Sequence, residues 1–240
     1  PTNLDELYDV LKAYTDKTGK PAFTTAATGW LPYIMSGFGM GEAGWYEVDG
    51  EYLPRIKVSA TVDYLGFMQK LYKEGLLDND MPINTGDTAK EKFTNGTTLA
   101  YPVKFFDIDG IYDAFQATGS DTKVKIATPV AKDADTKPPI FVNQGIKGAV
   151  CVPKTAKNPE HAINWFNMIS DKENFRKIYI GEEGESYEIK DDKYYPIFPA
   201  FDDFTNSDKL VGVVPTDDVF KMWQARARKT NAAAELYDDI

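Results

Sequence analysis

Apolar residues recur at helical spacing in several separate runs. Leu4, Leu7, Tyr8, Leu11 and Tyr14 predict a helix that opens on Thr2 or Asn3 as its cap and closes at Gly19. Val62, Leu65, Met68, Leu71 and Tyr72 predict another, closed by Gly75. A short helix over about 87 to 95 ends near Gly96 and leads into an apolar strand, 98–103. Residues 107–117 read as a helix with Ile108, Ile111, Tyr112 and Phe115 on one face. Strands are predicted at 124–130 and 146–152, on either side of a polar connector, 131–139, the best candidate for a crossing between lobes. Asn158 caps a helix with Pro159 at its first position, where a missing N–H costs nothing, and Ala162, Ile163, Trp165, Phe166 and Ile169 form its core face. A helix over 171–180 ends at Gly181. An irregular Glu/Asp/Tyr-rich loop and a last helix through Val219, Phe220, Trp223 and Ala227 follow.

Residues 21–60 hold no sustained helical period. Alternation around Asp49-Gly50 predicts a small hairpin there. Strands that alternate with helices make the fold class α/β, a mixed sheet flanked by helices. Open sheets of this kind place ligands where strand ends release polar and aromatic loops, and residues 101–109 make such a loop.

With 240 residues the chain can bury a substantial core, and its net charge of −10 disfavours nucleic acid and anionic membrane surfaces as partners. Cys151, the single cysteine, permits no internal disulfide and reads as a buried filler in an apolar strand. His161, the single histidine, reads as solvated in a first helical turn, so no zinc cluster can form. Asp78-Asn79-Asp80 lacks the register of a calcium loop and reads as a capped turn. The glycines at 37, 39 and 41 match neither a phosphate loop nor a dinucleotide fingerprint, and no cofactor is implied. The chain opens on a helix start without an initiator Met and closes within a helix, so it reads as a fragment of a longer chain.

Five landmarks, in order, carry a family resemblance: Thr2-Asn-Leu-Asp-Glu-Leu, Leu71-Tyr-Lys-Glu-Gly-Leu-Leu, Phe93-Thr-Asn-Gly-Thr, Ala156-Lys-Asn-Pro-Glu-His-Ala-Ile-Asn-Trp, and Gly181-Glu-Glu-Gly-Glu-Ser-Tyr-Glu. The chain resembles the extracellular solute-binding proteins of ABC importers, family 1, with a type II periplasmic-binding-protein-like fold. It resembles the central part only, incomplete relative to the full two-lobed fold. Residues 1–136 correspond to a second-lobe-like α/β domain, 137–180 to a crossover with helices of the first lobe, and 181–240 to a return loop and helix toward the second lobe. The last landmark resembles the lipoprotein branch of Gram-positive bacteria. The resemblance implies an extracellular cell-surface lipoprotein whose export signal and anchor lie outside this segment. It implies a carbohydrate ligand, an oligosaccharide, a membrane permease as partner, and no catalysis.

Sugar rings offer an apolar C–H face to aromatic side chains and a rim of hydroxyls to carboxylates, amides and lysines. By the resemblance, Trp30 with Tyr33 supplies a stacking aromatic, and Tyr101, Phe105 and Phe106 form an aromatic cluster. Lys104, Asp107 and Asp109 are placed to bond hydroxyls, although Asp107 also reads as the cap of the next helix. Trp45 overhangs the cleft or packs on the surface. Glu183 and Tyr187, beside Glu182, lie in a turn that reaches toward the hinge, and Trp223 approaches the cleft or joins the core. Two other classes stay open: a glycoside-processing enzyme using paired carboxylates (Asp107 with Asp109, or Glu182 with Glu183), and a protein-interaction module with acidic helices.

Overall fold

Three helices end beside a left-handed glycine, and each is followed at once by a short parallel segment. They are α1 (Leu4–Thr18), α3 (Ser59–Lys73) and α4 (Gly86–Thr94). Gly19, Gly75 and Gly96 have φ of 67°, 71° and 74°, a conformation that glycine adopts without a Cβ penalty and that turns the chain out of a helix. The segments that follow are 22–24, 76–78 and 98–100. Phe23 bridges Leu77 on one side and Ala100 on the other, both in parallel. Ala22 and Phe23 N–H donate to Leu76 O at 2.9 and 3.0 Å, and Leu99 and Ala100 N–H donate to Ala22 O at 3.0 and 2.9 Å. The fold is therefore α/β.

The structure, a computed structural model, describes residues 1–26, 31–41, 43–103, 107–120, 122–138, 150–204 and 219–238. The chain divides into two units, Pro1–Lys104 with Gly110–Gly145, and Phe105–Asp109 with Ile146–Ile240. The predicted strand 98–103 contracts to the bridge at Ala100. The predicted strand 124–130 forms no ladder, and Pro129 has no N–H to give one. Only Ala131 pairs, in parallel with Asn3.

The first unit's core gathers Leu7 and Leu11 of α1, Ile34 and Met35 of α2 (Pro32–Met35), Tyr64, Met68 and Leu71 of α3, and Phe23, Leu76 and Leu77. Each such side chain contributes about 2 kcal/mol on burial. Asn3, not Thr2, caps α1 through its side chain. The inward stripe of α3 is Thr61, Tyr64, Met68 and Leu71. Val62, Leu65 and Tyr72, which the apolar pattern assigned to the core, face solvent. They flank that stripe, whose spacing of three and four residues can bury only one line of positions. The hairpin predicted at Asp49-Gly50 is present as β1 (Trp45–Val48) and β2 (Glu51–Pro54). In α5 (Asp109–Ala117), Ile111 and Phe115 are buried, as is Ile108 just ahead of it.

A polar network joins the parallel segments to α4. Asp78 is 5% exposed, and its Oδ2 accepts from Thr24 Oγ1, Asn84 Nδ2 and Lys92 Nζ, each at 2.8 Å. Its Oδ1 accepts from the Asp80 N–H at 3.0 Å, and Lys92 reaches Asp80 Oδ2 at 2.9 Å. Burial by itself raises the pKa of Asp78, but the hydrogen bonds from Lys92, Asn84, Asp80 and Thr24 outweigh it and hold the carboxyl below its ordinary value. Burial lowers Lys92, and its bonds to Asp78 and Asp80 raise it further than burial lowers it.

The second unit holds α6 (Pro159–Ser170), α7 (Lys172–Tyr179), a hairpin of β3 (Tyr187–Lys190) and β4 (Lys193–Pro196), α8 (Val219–Ala227) and α9 (Asn231–Asp238). Its core packs Phe175, Tyr179, Ile180, Tyr187, Phe201, Met222 and Ala225. Three expectations are corrected here. The loop read as irregular is the β3–β4 hairpin, turned by Asp191 and Asp192 at φ of 51° and 60°. Trp165 is 43% exposed, because Ile169 is the position of α6 that reaches the core. Asn158 precedes α6 without a side-chain cap bond. Cys151 is exposed, in an extended stretch without a ladder partner among the described residues. The predicted strand residues 146–149 lie outside the described residues.

Asp78→Ala leaves Lys92 and Asn84 without their buried partner, and urea unfolding at pH 7 is expected to show a loss of about 3 kcal/mol. The depressed pKa makes Asp78's contribution present above about pH 4 and lost as pH falls through the lower folded value, so acid sensitivity in that window should shrink in Asp78→Asn. The raised Lys92 works in reverse: its contribution is present below about pH 10.4 and lost as pH rises through the folded value. At Gly181, φ is +84° and an added Cβ would meet Ser186 Oγ at 2.1 Å and Phe204 at 2.8 Å. Gly181→Ala is therefore expected to cost about 3 kcal/mol, whereas Gly19→Ala, with open space around it, should cost only about 1 kcal/mol. Equal losses in the two variants would contradict this packing.

Candidate functional site

In the first unit the parallel segments all deliver their carboxyl ends to one edge, and the side chains there are polar. Thr24, Thr25, Asp78 and Asn84 are buried at that edge, and Asn84 Nδ2 also donates to Thr25 O at 3.2 Å. Asp80 is the solvated member, with a side chain 64% exposed, and Lys92 is intermediate at 19%. Trp30, Lys104, Phe105 and Phe106 lie outside the described residues.

Tyr101 follows the 98–100 segment, half-buried. Its ring stacks on Phe93 of α4 with centroids 6.0 Å apart, and its hydroxyl donates to Gly86 O at 3.4 Å. Tyr33 lies in α2, half-buried against the core, and burial pushes its phenol up to about 12. Trp45 stands on β1, 64% exposed. An open groove of about 620 Å³ runs elsewhere in this unit, lined by Tyr8, Phe38, Phe67, Lys70 and Lys132 among others, and none of the predicted site residues lines it.

In the second unit Asp109 is brought to the turn between α8 and α9. Lys229 Nζ lies 2.9 Å from Asp109 Oδ2, and the Thr230 hydroxyl donates to Oδ1. The same hydroxyl accepts from Ala233 N–H at 3.1 Å, so Thr230 both caps α9 and fixes the carboxylate. Neither Lys229 nor Thr230 stands out in the sequence, since no motif marks a turn 120 residues away as the partner of Asp109. Asp107 is exposed, ahead of α5. Trp223 is 37% exposed and meets Tyr237 edge-on at 5.7 Å. Beside it, Arg228 is buried, 4.5 Å from the ring centroids of both Tyr195 and Tyr237, with Nη2 on Asp238 Oδ1 at 2.7 Å.

Of the two turn residues, Glu183 is exposed and Tyr187 is 1% exposed in the core, stacked on Tyr194 at 5.5 Å. Burial raises the Tyr187 phenol above its ordinary value. A ring so enclosed holds β3 in place and offers no face to a solute. Glu182, its neighbour, is engaged by Arg176 and Lys177, each at 3.4 Å.

Each unit by itself presents aromatic rings, carboxylates and ammonium groups: Tyr101, Asp80 and Lys92 in the first, Trp223, Asp109 and Lys229 in the second. Known proteins bear on this directly. The chain is 36% identical over 179 residues to a protein of Niallia circulans named only by its position in the butB 5′ region, covering 74% of this chain and 70% of that one. It is 28% identical over 209 residues to the polygalacturonan/rhamnogalacturonan-binding protein YtcQ of Bacillus subtilis (strain 168), covering 81% of this chain and 41% of that one. The fold is similar to that of the alginate-binding protein AlgQ2, solved without calcium ion, with a TM-score of 0.59 and 18% identity. That match covers all of this chain and 53% of AlgQ2, so the chain spans about half the length of that protein and about two-fifths of YtcQ. The family described as bacterial extracellular solute-binding protein matches residues 1–184. The chain belongs to the bacterial extracellular solute-binding proteins.

Proposed function

We propose that this chain is part of the substrate-binding component of an ABC importer and that its solute is a carbohydrate, an oligosaccharide held reversibly by aromatic stacking and hydroxyl hydrogen bonds. The observation that carries this reading is the family match together with the polysaccharides named for YtcQ and AlgQ2. The residues support it chemically. Tyr101 is propped by Phe93 at the carboxyl edge of the first unit, and Asp109 is held by Lys229 and Thr230 in the second. Trp30, Tyr33, Trp45, Lys104, Phe105, Asp107, Glu183 and Trp223 are the further proposed contacts. Tyr187 serves from behind, as a support. In this reading the partner is the membrane permease, and the protein works at the surface of a Gram-positive cell through an anchor outside residues 1–240.

Tryptophan-fluorescence titration of the natural full-length protein against neutral and acidic oligosaccharides tests the reading. Saturable change without product is expected, weakened at least about tenfold in Trp30→Ala and in Asp109→Ala. A folded protein that responds to no saccharide would remove carbohydrate as the ligand and leave peptides as the next class to test.

A further inference from the structure

The β1–β2 hairpin has two faces of opposite character. Its register pairs Trp45 with Pro54 and Glu47 with Tyr52. Because side chains alternate along a strand, these four project to one side and Tyr46 and Leu53 to the other. Tyr46 packs against the core, and its hydroxyl both donates to Gly41 O at 2.7 Å and accepts from Gly41 N–H at 2.9 Å. That double bond fixes the hairpin's inner face. On the outer face Trp45 is 64% and Tyr52 is 70% exposed, and Glu47, directly opposite Tyr52, is exposed too.

Trp45 and Tyr52 are diagonal neighbours across the ladder, a separation of about 7–8 Å that aromatic side chains span. Neither ring stacks on another among the described residues. Each forgoes the gain of burial, although the core that Tyr46 packs against lies behind the hairpin. A single exposed aromatic residue is ordinary, but two on one face, with a carboxylate directly opposite one of them across the ladder, form an apolar surface with a hydrogen-bond acceptor at its edge. That combination matches a pyranose ring: the C–H face covers the aromatic plane, and adjacent hydroxyls donate to the carboxylate.

Charge narrows the class. The outer face carries Glu47 and the turn carries Asp49, while Glu51 pairs with Val48 on the other side; neither strand, 45–48 or 51–54, contains Lys or Arg. An anionic sugar would meet like charge there, whereas an uncharged one would not. We propose that the Trp45–Glu47–Tyr52 face binds uncharged pyranose units of an oligosaccharide. The proposal rests on the carbohydrate reading above and adds a site, with Tyr52 and Glu47 as contacts and neutral sugars as the preferred class.

Calorimetric titration of the natural full-length protein with cellotetraose, mannotetraose, xylotetraose and tetragalacturonate decides it, with Trp45→Ala and Tyr52→Ala beside the wild type. The expected result is binding of at least one neutral tetrasaccharide, weakened about tenfold in each variant. Any tetragalacturonate affinity should be unchanged in Tyr52→Ala, and the melting temperature should be unchanged in both variants, because both rings are exposed. Wild-type binding of neutral tetrasaccharides that both variants retain overturns the hairpin site and leaves the carbohydrate reading standing. Binding of tetragalacturonate alone, or equal losses for charged and uncharged sugars, overturns the neutral preference and the proposal with it. A wild type that binds none of the four, nor any sugar of the wider fluorescence panel, overturns the carbohydrate reading itself.

Discussion

A carboxylate removed from water must find donors, and Asp78 finds four: Lys92, Asn84, Thr24 and the Asp80 N–H. They come from three different stretches of chain, so the requirement is geometric as well as energetic. Apolar packing alone would let the 22–24 and 76–78 segments slide, since contacts such as those of Phe23, Leu76 and Leu77 are not directional. A lysine that must reach Asp78 and Asp80 at once permits one placement of α4. That placement sets Phe93, and Phe93 sets the ring of Tyr101. The position of a proposed ligand-contacting aromatic thus descends from a buried ion pair several residues away.

Arg228 plays the corresponding part in the second unit. Its guanidinium lies 4.5 Å from the ring centroids of Tyr195 and Tyr237 and donates to Tyr194 O at 3.0 Å and Asp238 at 2.7 Å. Gln224 adds a bond from Tyr194 N–H to its side chain at 3.0 Å. These contacts tie β4 to α8 and α9. Once the α8–α9 turn is fixed, Lys229 and Thr230 have no freedom to leave Asp109. Arginine suits the role because its planar cation satisfies stacking and several acceptors together, which a lysine could not.

The helices and their ends were legible in the sequence wherever the signal was local. Gly19, Gly75 and Gly181 mark their turns because a left-handed backbone narrows the choice of residue, and Asp49-Gly50 marks its hairpin for the same reason. What was not legible depended on partners distant in sequence. Asp78 reads only as part of a capped turn until Lys92 and Thr24 are known to surround it. Trp165 reads as core because it lies on an apolar run, yet only one line of α6 reaches the interior. The β3–β4 hairpin escaped notice because Asp191-Asp192 replaces the usual glycine in a turn with two positive φ values. The predicted strand 98–103 contracted to a bridge because Ala100 is the residue of that segment that meets its neighbour in register. The aromatic loop's own residues, Lys104 and Phe105, fall outside the described chain, so the site is read from the elements that flank it.

Exposure in this protein is informative where the fold offers an alternative. Tyr46 and Tyr52 lie on one small hairpin, equally aromatic and equally able to take a partner for their hydroxyl. Tyr46 turns inward, meets Gly41 with both hydrogen-bonding functions of its hydroxyl and packs against the core. Tyr52, with Trp45 diagonal to it, remains in water. Strand alternation forces one face outward but does not require that face to be aromatic, and serine or threonine at positions 45 and 52 would preserve the ladder while removing the exposed apolar surface. Folding therefore accounts for Tyr46 and leaves Trp45 and Tyr52 to be accounted for by something the surface meets. In a protein of a solute-binding family, the proposed pyranose face is such an account: two exposed rings with a carboxylate beside them offer the chemistry that a sugar ring needs.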